Sequence, residues 1–333
     1  LIMENLSRRA VLLGAASLPL AAPFIGKAAA QTRWQLATAY PDGNFHTRNL
    51  RDFITEVQGA AGGLQIQMHS NASLLRMPEI KRGVQTGQAQ LGEILLSAYG
   101  NEDPFFEVDS VPQLVTSTDQ ARKLAELQRP YVEARLQRQG ITLLYMVPWP
   151  QSGFYTNVPV ESVETLRGMK MRTFNALTNR FATLAGATPT LVQQAEVPQA
   201  FATGVVNAMV TSAATGVDVQ AWDFCKFFTP IGFTRTKNAV FVQTRALQAL
   251  PEASQRAIRA AAAAAEARGW QLSEVETVER QNMLASRGMT IGTPSPALMQ
   301  GLVRIGATQA DEWVAKAGEE GRRLMDAYRA AIA

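Results

Sequence analysis

The chain has 333 residues, of which 47% are apolar and 18% charged. This excludes a disordered, collagen-like or coiled-coil protein and leaves a globular one of about two domains. The net charge is +4, from 32 Lys and Arg against 28 Asp and Glu, an excess too small and too scattered for a nucleic-acid groove. A single cysteine, Cys225, and two histidines, His46 and His69, exclude an internal disulfide and a cysteine zinc site. They also leave little material for metal or histidine chemistry.

Residues 4–30 read as an export signal. Arg8-Arg9 form a twin-arginine pair, the apolar stretch Ala10 to Ile25 is interrupted by Gly14, Pro19 and Pro23, and Ala28-Ala29-Ala30 offers a cleavage site before Gln31. The stretch is shorter than the roughly 18–20 residues of a membrane span. The expectation is a periplasmic protein whose residues 1–30 are a twin-arginine-type signal.

Beyond the signal, short strands alternate with helices, the pattern of an α/β protein. Trp34–Ala39 reads as a strand, followed by a loop at Tyr40-Pro41-Asp42-Gly43-Asn44. Leu50, Phe53, Ile54 and Val57 have helical spacing and end near Gly59. Leu64, Ile66 and Met68 alternate as a strand does, and Pro78 opens a helix that runs to about Gly87. Ser117 and Gln120 have capping-box spacing at the head of a helix from about Thr118 to Gln139, with a break or kink expected at Pro130. Ile141–Val147 reads as a buried strand. In the next strand Met169 and Met171 face one way, Lys170, Arg172 and Phe174 the other. A helix at Leu177, Phe181 and Leu184 stops by Gly186; Val205–Val210 and Ala239–Val242 read as strands, and Pro251 to about Arg287 as helix. Glu319-Glu320, between Gly318 and Gly321, reads as a solvated segment.

Catalytic signatures are missing: there is no G-x-S-x-G elbow, Walker loop or H-E-x-x-H. Gly59, Gly62 and Gly63 lack dinucleotide-fingerprint spacing, and Cys225, inside an aromatic run, reads as a buried small hydrophobe.

The stretch Glu164-Thr165-Leu166-Arg167-Gly168-Met169-Lys170-Met171-Arg172 resembles the E-D-L-K-G-x-K-x-R segment of TRAP-transporter periplasmic solute-binding proteins of the DctP type. Further matches keep the family's order. His46 follows a Pro-containing loop, Glu79 precedes Val84-Gln85-Thr86-Gly87, and Asp109-Ser110-Val111-Pro112 comes next. Then follow Gly153-Phe154-Tyr155-Thr156-Asn157, Glu196-Val197 with Ala202-Thr203-Gly204-Val205-Val206-Asn207, and Leu250-Pro251-Glu252. Each is weak alone; the ordered set, from about residue 33 to the end, is specific.

The resemblance implies a two-lobed periplasmic-binding-protein-like α/β fold. Each lobe is a mixed sheet flanked by helices, and hinge strands and a long helix join them. Lobe I is expected at 32–148 plus about 238–276 and lobe II at 149–237 plus about 277–333. The resemblance also implies a monomeric receptor that closes on a small organic acid, with no catalytic residue, metal or cofactor and no nucleic-acid partner. Its membrane partner would be a sodium-driven TRAP permease with DctQ-like and DctM-like subunits. A membrane sensor fed by the same receptor, and a periplasmic enzyme acting on a carboxylic acid, are the competing readings.

Arg172 ends the matched motif and is the expected ligand anchor, because a planar guanidinium fork fits a carboxylate bidentately. Asn175 matches a family position that can touch the same carboxylate, or else caps the following helix. The chain departs from the family in two places. Many relatives carry a second arginine at the position aligned with Gly153, and Asn207-Ala208-Met209-Val210-Thr211-Ser212 replaces a D-G-x-E-N-P run. A second ligand carboxylate would lack its partner, and burying an unpaired charge is costly. The expected ligand is therefore a monocarboxylate, aromatic or hydrophobic, with room for a 2-oxo or 2-hydroxy group; a C4-dicarboxylate is the alternative. Thr211, Ser212 and Thr215 would supply hydroxyls, and Trp149, Phe174 and Phe154 apolar walls, with Tyr40, His46, Asn71 and Glu93 as first-lobe candidates.

Overall fold

A computed structural model describes residues 31–333; the expected export signal lies outside them. In chain order the elements are β1 (Thr32–Ala37), α1 (Phe45–Ala60), β2 (Leu64–His69), α2 (Met77–Thr86), β3 (Leu91–Leu95), α3 (Thr118–Arg138), β4 (Ile141–Pro148), β5 (Ser152–Thr156), β6 (Lys170–Thr173) and α4 (Ala176–Leu184). Then come β7 (Thr188–Leu191), α5 (Val197–Ala202), β8 (Ala208–Ser212), α6 (Ala213–Asp218), β9 (Phe227–Pro230), β10 (Lys237–Gln243), α7 (Thr244–Gln248), α8 (Glu252–Ser286), β11 (Thr290–Ile291) and α9 (Pro296–Ile332).

Two mixed sheets result, as the two-lobed reading requires. The first has the order β2-β1-β3-β10-β4, the second β11-β9-β5-β8-β6-β7. In the first, β1 pairs in parallel with β2 and β3, because α1 and α2 carry the chain back between strands. Strand β10 then inserts antiparallel between β3 and β4 from far along the chain. In the second, β6 runs parallel to β7 and β8, while β5 is antiparallel to β8 and β9. The chain crosses between sheets at β4–β5 and again at β9–β10. Helix α8 joins them a third time, packing on α1 and β4 at the first sheet and on α6 and β11 at the second.

Each sheet has its own core: Leu36, Phe53, Ile80, Val147 and Phe241 in the first, Phe154, Met171, Phe181 and Phe233 in the second. Trp149, where the sequence division begins lobe II, packs with the first of these. A third cluster joins Phe105, Val108 and Leu124 to Trp313, Leu324 and Tyr328, so the distal part of α9 lies against α3 and residues 105–115.

Two local expectations are corrected. Pro130 does not break α3. It lies on the exposed side with Glu126, whose freed carbonyl water can satisfy, while Leu124, Gln128, Val132 and Leu136 hold the buried face. The strand expected at Val205–Val210 is β8, beginning at Ala208. Gly204 sits at φ 69° in a turn and leaves Val205 exposed. The solvated segment expected at Glu319-Glu320 lies within α9, which Gly318 (φ 69°, ψ −150°) interrupts without ending. Glu319 and Glu320 are exposed, and the helix resumes because Gly321, Leu324 and Tyr328 are buried beyond it.

Candidate functional site

Strand alternation puts Met171 wholly in the second core and turns Arg172 to the opposite face, near the C-terminal end of β6. There it meets the end of β8, with which β6 is paired in parallel, and β8 pairs Ser212 with Ser152 of β5. Ligands in α/β sheets bind at such strand ends. A cavity of about 320 Å³ opens here between the two lobes, within the usual size range for small-molecule sites.

Arg172 is 4% exposed. Its Nε donates to the carbonyl of Val192 at 3.0 Å, and the guanidinium lies 5.6 Å from the Phe174 ring centre. Among the described residues no carboxylate pairs with it. Burial without a counter-ion lowers its pKa to about 10, with Tyr40 opposing that shift. A charge in this position favours an anion arriving in the cavity.

Of the residues singled out in the sequence, Arg172, Thr211, Ser212, Thr215, Trp149, Phe174 and Tyr40 line this cavity. The others do not. Asn175 caps α4, accepting from Thr178 N at 2.8 Å, and spends its amide on Ser97 (3.0 Å) and Ser110 (2.8 Å). Phe154 is fully buried against Phe181 and Phe233. Asn71 is exposed in a left-handed turn (φ 54°). His46 lies behind the wall, its ring 4.5 Å from Trp149.

Glu93 is also behind the wall, accepting from Thr38 Oγ1 at 2.6 Å and Asn238 Nδ2 at 3.0 Å. Burial pushes its carboxyl up to about 7 despite those two bonds. His46 Nδ1 stands 3.6 Å from it, but burial lowers the imidazole far enough to keep it neutral, so the two form no ion pair. The absence of a side chain at position 153 has a steric reason. The cleft-facing residue of β5 is Ser152, whereas a Cβ on Gly153 would lie 2.5 Å from the Thr229 carbonyl oxygen. No arginine fits there.

Sequence reasoning missed Ser152, Thr236, Gln193, Gln194, Glu196 and the rim residue Arg76. Only the β5–β8 register, which no local pattern encodes, brings Ser152 beside Ser212. Gln194 also belongs to a bridge: its Nε2 and Asn44 Nδ2 donate to the same oxygen of Asp218, at 3.0 and 2.6 Å. The cap of α1 is thereby tied to the cavity wall. Burial pushes Asp218 up to about 6.

A pH dependence of stability follows. Glu93 and Asp218 hold their protons to higher pH in the folded chain than in the unfolded one. Stability should therefore fall as pH rises from about 4.5 to 7 for Glu93 and from 3.8 to about 6 for Asp218. The slope is at most ~1.4 kcal/mol per pH unit for each group. Urea denaturation at pH 5 and pH 7 should show this fall, and Glu93→Gln should flatten it.

The chain was compared with known proteins. The sequence pattern of the family described as "Bacterial extracellular solute-binding protein, family 7" (DctP) matches residues 36–316. A solute-binding protein of Albidiferax ferrireducens is 25% identical over 224 residues, and the match spans 65% of that curated relative's length. Two Bordetella pertussis extracytoplasmic solute receptors with crystal structures binding pyroglutamic acid are similar throughout. DctP6 is 43% identical with a TM-score of 0.88, and DctP7 is 47% identical with a TM-score of 0.88. Each similarity covers 90% of this chain and 99% of the other. The paired mixed sheets, the interlobe cavity and the family pattern across residues 36–316 together make this chain a member of the DctP family of bacterial extracellular solute-binding proteins, a family of TRAP-type receptors rather than enzymes.

Proposed function

We propose that the protein is the periplasmic solute receptor of a TRAP transporter and that its ligand is a compact monocarboxylate, pyroglutamate first among them. The observation that carries this reading is Arg172: a guanidinium 4% exposed, facing the interlobe cavity, with no carboxylate among the described residues to neutralise it. A buried charge is costly until a counter-ion arrives, and a bidentate carboxylate fits its fork. Ser152, Thr211, Ser212 and Thr215 line the same cavity with neutral hydroxyls, which suit the single N–H and C=O of a lactam ring. The one other cationic side chain in the lining, Arg76, is largely exposed and pairs with Glu79. A second carboxylate on the ligand would be buried without a partner. The likeness to the two Bordetella receptors supports pyroglutamate in particular.

In this reading the acid docks on the second lobe, the first lobe closes over it, and the closed form delivers it to a permease of DctQ-like and DctM-like subunits. Isothermal titration calorimetry of the protein freed of ligand should give clear binding to L-pyroglutamate and at least about tenfold weaker binding to succinate, roughly 1.4 kcal/mol. Succinate binding more tightly than every monoacid would sink the monocarboxylate reading.

A further inference from the structure

The two walls of the cavity differ in kind. Arg172, Ser152, Thr211, Ser212 and Thr215 face it from the second lobe; Met77, Leu95 and the rings of Tyr40 and Trp149 face it from the first, with Arg76 at the rim and Thr236 beside Trp149 at the crossing. Those two rings carry polar atoms, and both are committed elsewhere. The Trp149 indole N–H and the Tyr40 hydroxyl donate to one oxygen, Asn238 Oδ1, at 2.7 and 3.3 Å.

An asparagine amide presents its oxygen or its NH2 according to what holds its other end. Here Glu93 Oε1 accepts from Asn238 Nδ2 at 3.0 Å, and Thr38 donates to the other carboxyl oxygen at 2.6 Å. Glu93, Asn238 and Thr38 are each no more than 1% exposed. A flipped Asn238 would set its NH2 against two donors and release both of them toward the cavity.

We propose that Glu93 is a positioning residue that sets the selectivity of the cavity: it locks Asn238 with its oxygen toward Trp149 and Tyr40, so that these two residues show the ligand their aromatic faces and no free donor. This deepens the reading above and rests on it only for the ligand's identity. A compact acid with its polar atoms on one side matches such a cavity. A polyhydroxylated acid would press hydroxyls against two rings that offer them no partner, and unpaired buried hydroxyls are costly. The carboxyl need not touch the ligand to exert this effect.

Two measurements test the lock. The first needs no ligand: solvent exchange of the Trp149 indole N–H, followed by NMR and assigned by its loss in Trp149→Phe. It should be protected in the wild-type protein and in Glu93→Gln, whose amide oxygen can still accept from Asn238, and should exchange at least about tenfold faster in Glu93→Leu. Free exchange in the wild-type protein overturns the proposal, and decides it even if the leucine variant does not fold.

The second measurement is the ratio of affinities for L-pyroglutamate and D-gluconate. It should fall at least about tenfold in Glu93→Leu and recover in Glu93→Gln. Parallel loss of both affinities is what a merely structural role would give, and it too overturns the proposal. Absence of pyroglutamate binding by the wild-type protein would overturn the functional reading instead, leaving the exchange measurement to decide the lock.

Discussion

Arg172→Ala is expected to lose ~2–5 kcal/mol of affinity for the acid, the usual effect of truncating one partner of a buried charge pair. This is roughly a 30- to several-thousand-fold rise in Kd, measured by calorimetry with L-pyroglutamate. Arg172→Lys should fall between, since an ammonium keeps the charge but not the planar fork. The same site should show a trade-off. With no counter-ion among the described residues and burial lowering its pKa to about 10, the guanidinium destabilises the ligand-free protein. The penalty applies below about pH 10 and lifts only as pH rises from there toward the ordinary guanidinium range. Substitution therefore probes it better than pH. Ligand-free Arg172→Met should be at least as stable as the wild-type protein in urea, while losing the stabilisation that saturating ligand confers. Unchanged affinity in Arg172→Ala would end the proposed anchoring role.

Lys237→Met is expected to cost ~3–5 kcal/mol of stability, the largest effect we foresee outside the cavity. Lys237 opens β10 directly after the second crossing between the sheets, and its Nζ lies 2.6 Å from Asp109 Oδ2. The two side chains are 2% and 1% exposed. Burial raises the Asp109 carboxyl even with the lysine pulling it down. Without the lysine, that carboxylate must be buried alone or take up a proton. Because its folded pKa then lies further above the unfolded value, the variant should be more severely destabilised at pH 8 than at pH 5. Urea denaturation at both pH values measures this. The double variant Lys237→Met with Asp109→Leu should regain most of the loss, since removing both charges leaves no unpaired ion. A single variant as stable as the wild-type protein at pH 8 would show that the buried pair does not hold this crossing together.

Much of the fold is legible in local sequence. The spacing of Leu50, Phe53, Ile54 and Val57 specifies the buried face of α1, and the alternation around Met171 and Arg172 sets which side chain enters the core. Local chemistry also misleads in places. Asn175 follows Arg172 at a family position, but the cap of α4 and two serines of the first lobe consume its polar atoms. Pro130 satisfies every local rule for a break, yet α3 continues because its apolar face is buried and the proline's side is wet.

By itself the sequence determined the family, the α/β class, the absence of catalytic motifs and the arginine set apart from the core, because these rest on residue type and short-range periodicity. Only the tertiary structure decided which neutral groups share the cavity with that arginine. Ser152 reaches the cavity through antiparallel register with Ser212, and Asn238 meets Glu93, Trp149 and Tyr40 because β10 returns between β3 and β4. Contacts between segments 60 to 200 residues apart depend on strand order and register, and no local pattern of side chains carries that information.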